Sequence, residues 1–269
     1  MVGMARKHAF VPRYRPEERL SLVTEDGVRL AGARLAGPPD APATVVLAHG
    51  FVHSSRTPRI HAFAHLLARR VHVVVPDLRG HGSSGGLCTL GFEEPLDVAA
   101  AVDAADPGLP VVTLGISLGG AAVLLHAGAH AQGHREIAGV VAISPPAWSG
   151  TWDTPGTKRV QRYAGSPAGR KVLARLLHTR LADRCQVVPD SRDLVAGIAP
   201  AFTLIVADPA DHYFGEEHSR ALYEWAMEPK DLWLLPGTGH GTDLLSPALA
   251  DRLLRELDER LSPDGGPAG

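Results

Sequence analysis

The stretch Val111-Val-Thr-Leu-Gly-Ile-Ser-Leu-Gly-Gly-Ala-Ala-Val-Leu-Leu125 constrains this chain more than any other. An apolar run that reads as a buried strand passes directly into Gly115-x-Ser117-x-Gly119, then into small residues that read as a helix. A strand that turns into a helix this abruptly leaves no room for a Cβ on either side of the turn, so glycines flank the serine. The serine backbone is strained, and its hydroxyl stands clear at the C-terminal edge of the sheet. The plainer alternative is an ordinary glycine-rich turn. The five-residue pattern alone does not separate the two; the strand before it and the helix after it favour Ser117 as a nucleophile.

A serine hydroxyl needs a base, and a base needs an orienting acid. On this kind of turn the chain order is serine, acid, histidine. Fourteen histidines make composition uninformative, so position decides. His240 is the last of them, in Leu234-Leu-Pro-Gly-Thr-Gly-His-Gly241, directly after the apolar strand 232–235. Such a loop is a poor place to bury a structural imidazole, and His240 is the candidate base. The acid should end the preceding strand, 202–206, where Asp208 and Asp211 compete. One would orient the imidazole, and the other would be a solvated turn residue or cap the helix starting near Glu216. Spacing leaves the choice open.

An oxyanion needs two preorganised N–H donors. Leu118 follows the nucleophile and supplies one. His49-Gly50-Phe51 follows the strand 44–48, so the Phe51 N–H is the second candidate and its ring a wall of the pocket.

These pieces resemble the α/β-hydrolase superfamily over residues 20–261. The resemblance rests on His49-Gly50-Phe51, Pro76-Asp-Leu-Arg-Gly-His-Gly-Ser-Ser-Gly85, Gly115-Ile-Ser-Leu-Gly119, Asp211-His-Tyr-Phe214 and Gly239-His240-Gly241. It is closest to small serine hydrolases of the lipase and serine-aminopeptidase type. It implies an α/β fold with a mostly parallel central sheet, helices on both faces and a small cap. It also implies a Ser117–His240–Asp211 triad that cleaves a carboxylic ester or related acyl bond. Asp211 follows from the family's Gly-x-x-Asp pattern, in which Asp208 stands where the glycine usually does. The Asp77-x-Arg-Gly-His-Gly stretch is implied to support the site through turn hydrogen bonds. A receptor that binds a small molecule on the same fold, or a hydrolase of thioester, amide or C–C bonds, is the alternative. Dehalogenases and epoxide hydrolases place Asp at the elbow, against Ser117.

The remaining features bound this reading. Of 269 residues 45% are hydrophobic and the formal net charge is −2, so nothing suggests a basic field for nucleic acid. No run of 18 apolar residues and no apolar leader is present, and Cys88 and Cys185 lack metal spacing. The expectation is a cytoplasmic protein with reduced thiols and a small-molecule, ester-like substrate, with no cofactor, metal or membrane span. Oligomeric state is not legible.

Residues 1–18 read as a lead-in, 19–261 as the α/β domain and 262–269 as a disordered tail. An opening hairpin (20–24, 28–32) precedes strands at 44–48, 72–76, 110–115, 138–143, 202–206 and 232–235. Thr57-Pro58 should cap a helix to about Arg69, and Ser246-Pro247 should open the last, with Leu249, Leu253, Leu257 and Leu261 on one stripe. A small cap is expected at about 146–165, where Trp148 and Trp152 would line the pocket, and a helix at 168–181 would complete the body.

Other patterns imitate sites. Gly80-His-Gly82-Ser-Ser-Gly85 matches a dinucleotide fingerprint, but its third glycine does not open a helix. His61 and His65 lie at i, i+4 without the glutamate a metalloprotease needs. They fall off the apolar stripe of their helix, so a solvated face is expected. His49, His53 and His81 all follow strand ends and could converge on a metal near the site; none is assigned.

Overall fold

The computed structural model describes residues 17–129, 135–150, 152–183 and 187–262. Most of the expected lead-in, nearly all of the expected tail and Cys185 lie outside them.

The opening hairpin is β1 (Glu17–Val23) and β2 (Arg29–Leu35). Strand and helix then alternate: β3 (Thr44–Ala48), α1 (Pro58–Leu67), β4 (His72–Pro76), α2 (Glu94–Asp103), β5 (Val111–Ile116), α3 (Leu118–Ala129) and β6 (Gly139–Ile143). An excursion holds α4 (Pro155–Ala164) and α5 (Pro167–Leu176), and returns through α6 (Ser191–Leu194) and a 3₁₀ turn. The chain closes with β7 (Phe202–Ala207), α7 (Glu216–Trp225), β8 (Lys230–Leu234) and α8 (Pro247–Leu261). One sheet runs β1-β2-β4-β3-β5-β6-β7-β8. β1, β2 and β4 pair antiparallel, and every pair from β4 to β8 is parallel.

The apolar runs of β3, β5, β6 and β7 are unbroken because both faces of these strands are buried. Period two divides each strand between two cores. Val45 and Leu47 pack towards Phe63 of α1 and Leu253 of α8, whereas Val46 and Ala48 pack towards Val98 of α2 and Val123 of α3. Leu249, Leu253 and Leu257 form the buried stripe expected of α8, with Leu261 partly buried at its end. Ser246 Oγ accepts from Leu249 N–H at 3.2 Å and caps that helix. No helix among the described residues is long and apolar enough to cross a membrane.

Three expectations are corrected. Thr57 precedes α1, but its hydroxyl accepts from Ser54 N–H at 2.9 Å and leaves the helix uncapped by a side chain. The helix expected at 168–181 stops at Leu176, and His178 turns at φ 47°. The chain then runs extended along the loop after β4, with Cys88 N–H donating to Arg180 O and Arg180 N–H to Gly80 O, both at 2.7 Å. α5 packs on α4 and reaches the body through Leu173, which clusters with Leu118 and Cys88, while α6 and the 3₁₀ turn pack on α3. His65 is not solvated: it is buried, with its ring 4.6 Å from that of His61. Glu17 of β1 reaches His61 Nε2 at 3.1 Å.

Candidate active site

Ser117 sits between β5 and α3 with φ at 52°, the left-handed region that costs a side-chain-bearing residue energy. Glycines on either side are obligatory. A Cβ on Gly115 would lie 2.1 Å from Gly119 O, and one on Gly119 would lie 2.3 Å from Ala48 O. Ser117 N–H donates to Ile143 O at 2.8 Å, which fixes the turn to the neighbouring strand.

His240 follows β8 in a loop that two neighbours hold. Gly241 N–H donates to Ser144 Oγ at 3.0 Å, and Gly239 N–H donates to an Asp208 carboxylate oxygen at 2.7 Å. The ring then lies with Nε2 2.9 Å from Ser117 Oγ and Nδ1 2.6 Å from Asp211 Oδ2. This fits the tautomer protonated on Nδ1, with the Nε2 lone pair facing the serine. The other Asp211 oxygen accepts from Tyr213 N–H at 2.7 Å and Phe214 N–H at 3.3 Å, and the carboxylate is fully buried. The two competing aspartates are thus separated in space: Asp211 meets the ring and Asp208 the loop that carries it. Burial opposes the Asp208 charge, but the backbone N–H groups of Gly239, Ala210, Thr238 and Gly237 outweigh it and hold its carboxyl below the usual range.

Leu118 opens α3, so its N–H is one of the first-turn donors that a helix leaves unsatisfied. The His49-Gly50-Phe51 loop lies against the elbow, since a Cβ on Gly50 would sit 3.4 Å from Ser117 Cβ. His49 is wholly buried: one ring nitrogen accepts from Leu78 N–H at 3.0 Å and the other donates to Gly50 O at 2.8 Å. Both nitrogens are committed to the backbone, which removes His49 as a metal ligand. Asp77 accepts from Ser55 N–H at 2.7 Å and Ser83 N–H at 2.9 Å, tying the turn after β4 to the same loop. Among the described residues, the group placed to hold a cation is Glu17, His61 and His65, none of which borders the cavity at Ser117.

Burial pushes His49 down to about 4 and, with His49 beside it, His81 down to about 3. Each is depressed below its unfolded value, so below about pH 6.5 the unfolded chain binds protons that the folded one refuses. Stability should therefore fall as pH drops from about 6.5 towards 4, by on the order of 1–3 kcal/mol per pH unit. Asp97, whose carboxyl burial pushes up against the pull of Arg79, opposes this in part. Urea denaturation at pH 7.5 and 5.5 measures the difference, and equal stabilities would contradict neutral, buried rings.

The cavity above Ser117 holds about 850 Å³. Phe51, Leu118, Trp148 and Trp152 border it, and Val160, Tyr163 and Leu173 bring α4 and α5 over it. The Trp148 ring also stacks on His218 at 3.9 Å between centroids.

Three contributors have no role in the site that the sequence assigns. Ser144 resembles any residue at a strand end until Gly241 is seen against it. His53 borders the cavity, held below the ordinary imidazole range by burial and by the nearby His240 and Arg59. Tyr213 tilts over His240 with ring centroids 4.2 Å apart. It also packs on the first turn of α4, where a Cβ on Gly156 would lie 2.5 Å from its ring. Gly156 N–H donates to His212 O and Thr154 Oγ1 to Tyr213 O, both at 3.1 Å, so α4 is fastened to the Asp211 loop.

Residues 45–265 match the sequence model of the alpha/beta hydrolase family. A protein of Escherichia coli O157:H7, described as uncharacterized protein YfhR, is 29% identical over 234 residues, which span 83% of this chain and 73% of that protein. Among solved structures, the Pyrococcus furiosus esterase Pf2001 superposes with a TM-score of 0.71 at 20% identity, covering 92% of this chain and 94% of its own. The alpha/beta hydrolase GrgF from Penicillium sp. sh18 gives 0.70 at 17%, covering 91% and 99%. A hydrolase from Pseudomonas aeruginosa PA01 gives 0.68 at 24%, covering 89% and 98%. At these identities the structural likeness is one of fold. Since the match to the family's sequence model takes in the whole parallel part of the sheet except Thr44 of β3, this chain belongs to the alpha/beta hydrolase family.

Proposed function

We propose that this protein is a serine hydrolase that cleaves a carboxylic ester through an acyl-enzyme intermediate. The observation that carries the reading is the line of hydrogen bonds from Asp211 through His240 to Ser117 Oγ. His240 takes the serine proton as Oγ attacks the acyl carbon, and Asp211 stabilises the imidazolium. The Phe51 and Leu118 N–H groups receive the oxyanion. His240 then protonates the leaving group and activates water for deacylation. Residues 146–165, together with α5, act as a cap over the acyl pocket, and the protein works in the cytoplasm. Esters lead among acyl substrates because they need the least leaving-group assistance.

Two measurements test this. A fluorophosphonate should label Ser117, and 4-nitrophenyl esters should turn over many times per molecule. A single slow acylation would instead mark a receptor, and no labelling would remove the serine mechanism.

The pocket walls give a further expected result. Truncating Phe51 or Trp152 to alanine should shift acyl-chain preference without abolishing turnover, because the backbone N–H survives while the ring supplies apolar contact. One methylene of fit is worth roughly 1–3 kcal/mol, so preference should move by about tenfold per step. Superimposable C2 to C10 profiles would show that these rings only pack the fold.

A further inference from the structure

The helices over the cavity carry charge of a single sign. Residues 154–182 hold seven Lys and Arg and no Asp or Glu, in a chain whose formal net charge is −2. A charged helix face is ordinarily a solvated one, and such faces mix their signs. α8 does so, with Asp251, Arg252, Arg255, Glu256 and Asp258 in close succession. α4 and α5 do not. Lys158, Arg159, Arg162, Lys171 and Arg175 are all exposed. Among the described residues none of these five forms an ion pair with a carboxylate, whereas Arg170 meets Asp183 at 3.2 Å. Arg159 is also the only Arg or Lys among the described residues lining the cavity that contains Ser117. One acid, Asp243, lines the same cavity among the described residues, and it is paired with Arg59.

An apolar chamber with cationic helices at its rim sorts a substrate by its two ends. The chamber takes a hydrocarbon chain, and the rim takes a negative group. We infer that the natural substrate is an acyl ester or thioester whose non-acyl part bears phosphate, met at the cavity mouth by Arg159 with Lys158 and Arg162 beside it. The inference rests on Ser117 as the nucleophile. In the step itself, the Ser117 Oγ–C bond forms and the acyl C–O or C–S bond breaks. The serine proton passes through His240 to the phosphate-bearing alcohol or thiol, and water then releases the carboxylic acid.

Matched substrate pairs test this. S-octanoyl-4′-phosphopantetheine and S-octanoyl pantetheine share one thioester and differ by one phosphate. Dioctanoyl phosphatidic acid and dioctanoylglycerol do the same for a lipid. The expected result is a kcat/KM ratio of about tenfold or more in favour of the phosphorylated member of at least one pair, shrinking as salt rises. The pair that responds identifies a soluble thioester or a lipid as the source. In Arg159→Glu, and separately in the double variant Lys158→Glu with Arg162→Glu, that ratio should fall by about tenfold. Ratios near one in both pairs, a preference indifferent to salt, or a ratio unchanged in both variants would overturn the inference. If 4-nitrophenyl octanoate still turned over, the serine-hydrolase reading would stand without it; failure to cleave any ester or to react with a fluorophosphonate would remove both.

Discussion

Ser117→Ala is expected to lower kcat by about 10⁴-fold or more while leaving the fold intact. The loss follows from the mechanism, because no other hydroxyl hydrogen-bonds to His240 Nε2 among the described residues. The intact fold follows from the turn. Alanine at φ 52° meets the same Cβ strain that serine already bears, and Ser117 N–H keeps its bond to Ile143 O. The variant should therefore melt within a few degrees of wild type, and that comparison separates lost chemistry from lost structure. A folded variant that kept above roughly a tenth of wild-type kcat would end the assignment.

Asp211→Asn should lower kcat by about 10³–10⁴-fold, and Asp208→Asn much less. The amide at 211 presents a donor to His240 Nδ1 and so favours the tautomer whose Nε2 carries the proton. That tautomer cannot accept one from Ser117. Asp208 acts at one remove. Its carboxylate accepts from Gly239 N–H at 2.7 Å through one oxygen and from Ala210 N–H at 2.9 Å through the other, and asparagine keeps an acceptor for one of the two, so the loop is weakened while the proton relay is left in place. Steady-state kinetics on one aryl ester ranks the two variants, and losses in the reverse order would make Asp208 the acid.

The body of the fold was legible because its parallel strands are buried on both faces and therefore read as uninterrupted apolar runs. The elbow was legible for a steric reason, since Gly115 and Gly119 tolerate no Cβ. The loop before His240 announced itself through its glycines. What escaped depends on partners distant in sequence. α5 stops at Leu176 because the next residues pair with the loop after β4, and no local signal encodes that. His65 reads as solvated on its own helix, and the Glu17 carboxylate beside that face comes from β1, more than forty residues earlier. The positions of Ser144 and Tyr213 against the His240 loop are likewise facts of assembly. Between the two aspartates, spacing gave no answer; the family pattern favoured Asp211, and only three-dimensional placement distinguishes the ring's neighbour from the loop's.

The fastening of α4 to the loop after β7 has a mechanical consequence. Lifting this helix to widen the entrance would break the Gly156 N–H bond to His212 O and the Thr154 hydroxyl bond to Tyr213 O, and draw the Tyr213 ring away from His240. The loop loosened by that movement is the one that carries Asp211. Under the proposed mechanism, the helix that roofs the cavity and the loop that positions the relay's acid are therefore fastened to each other, and neither shifts without straining those bonds.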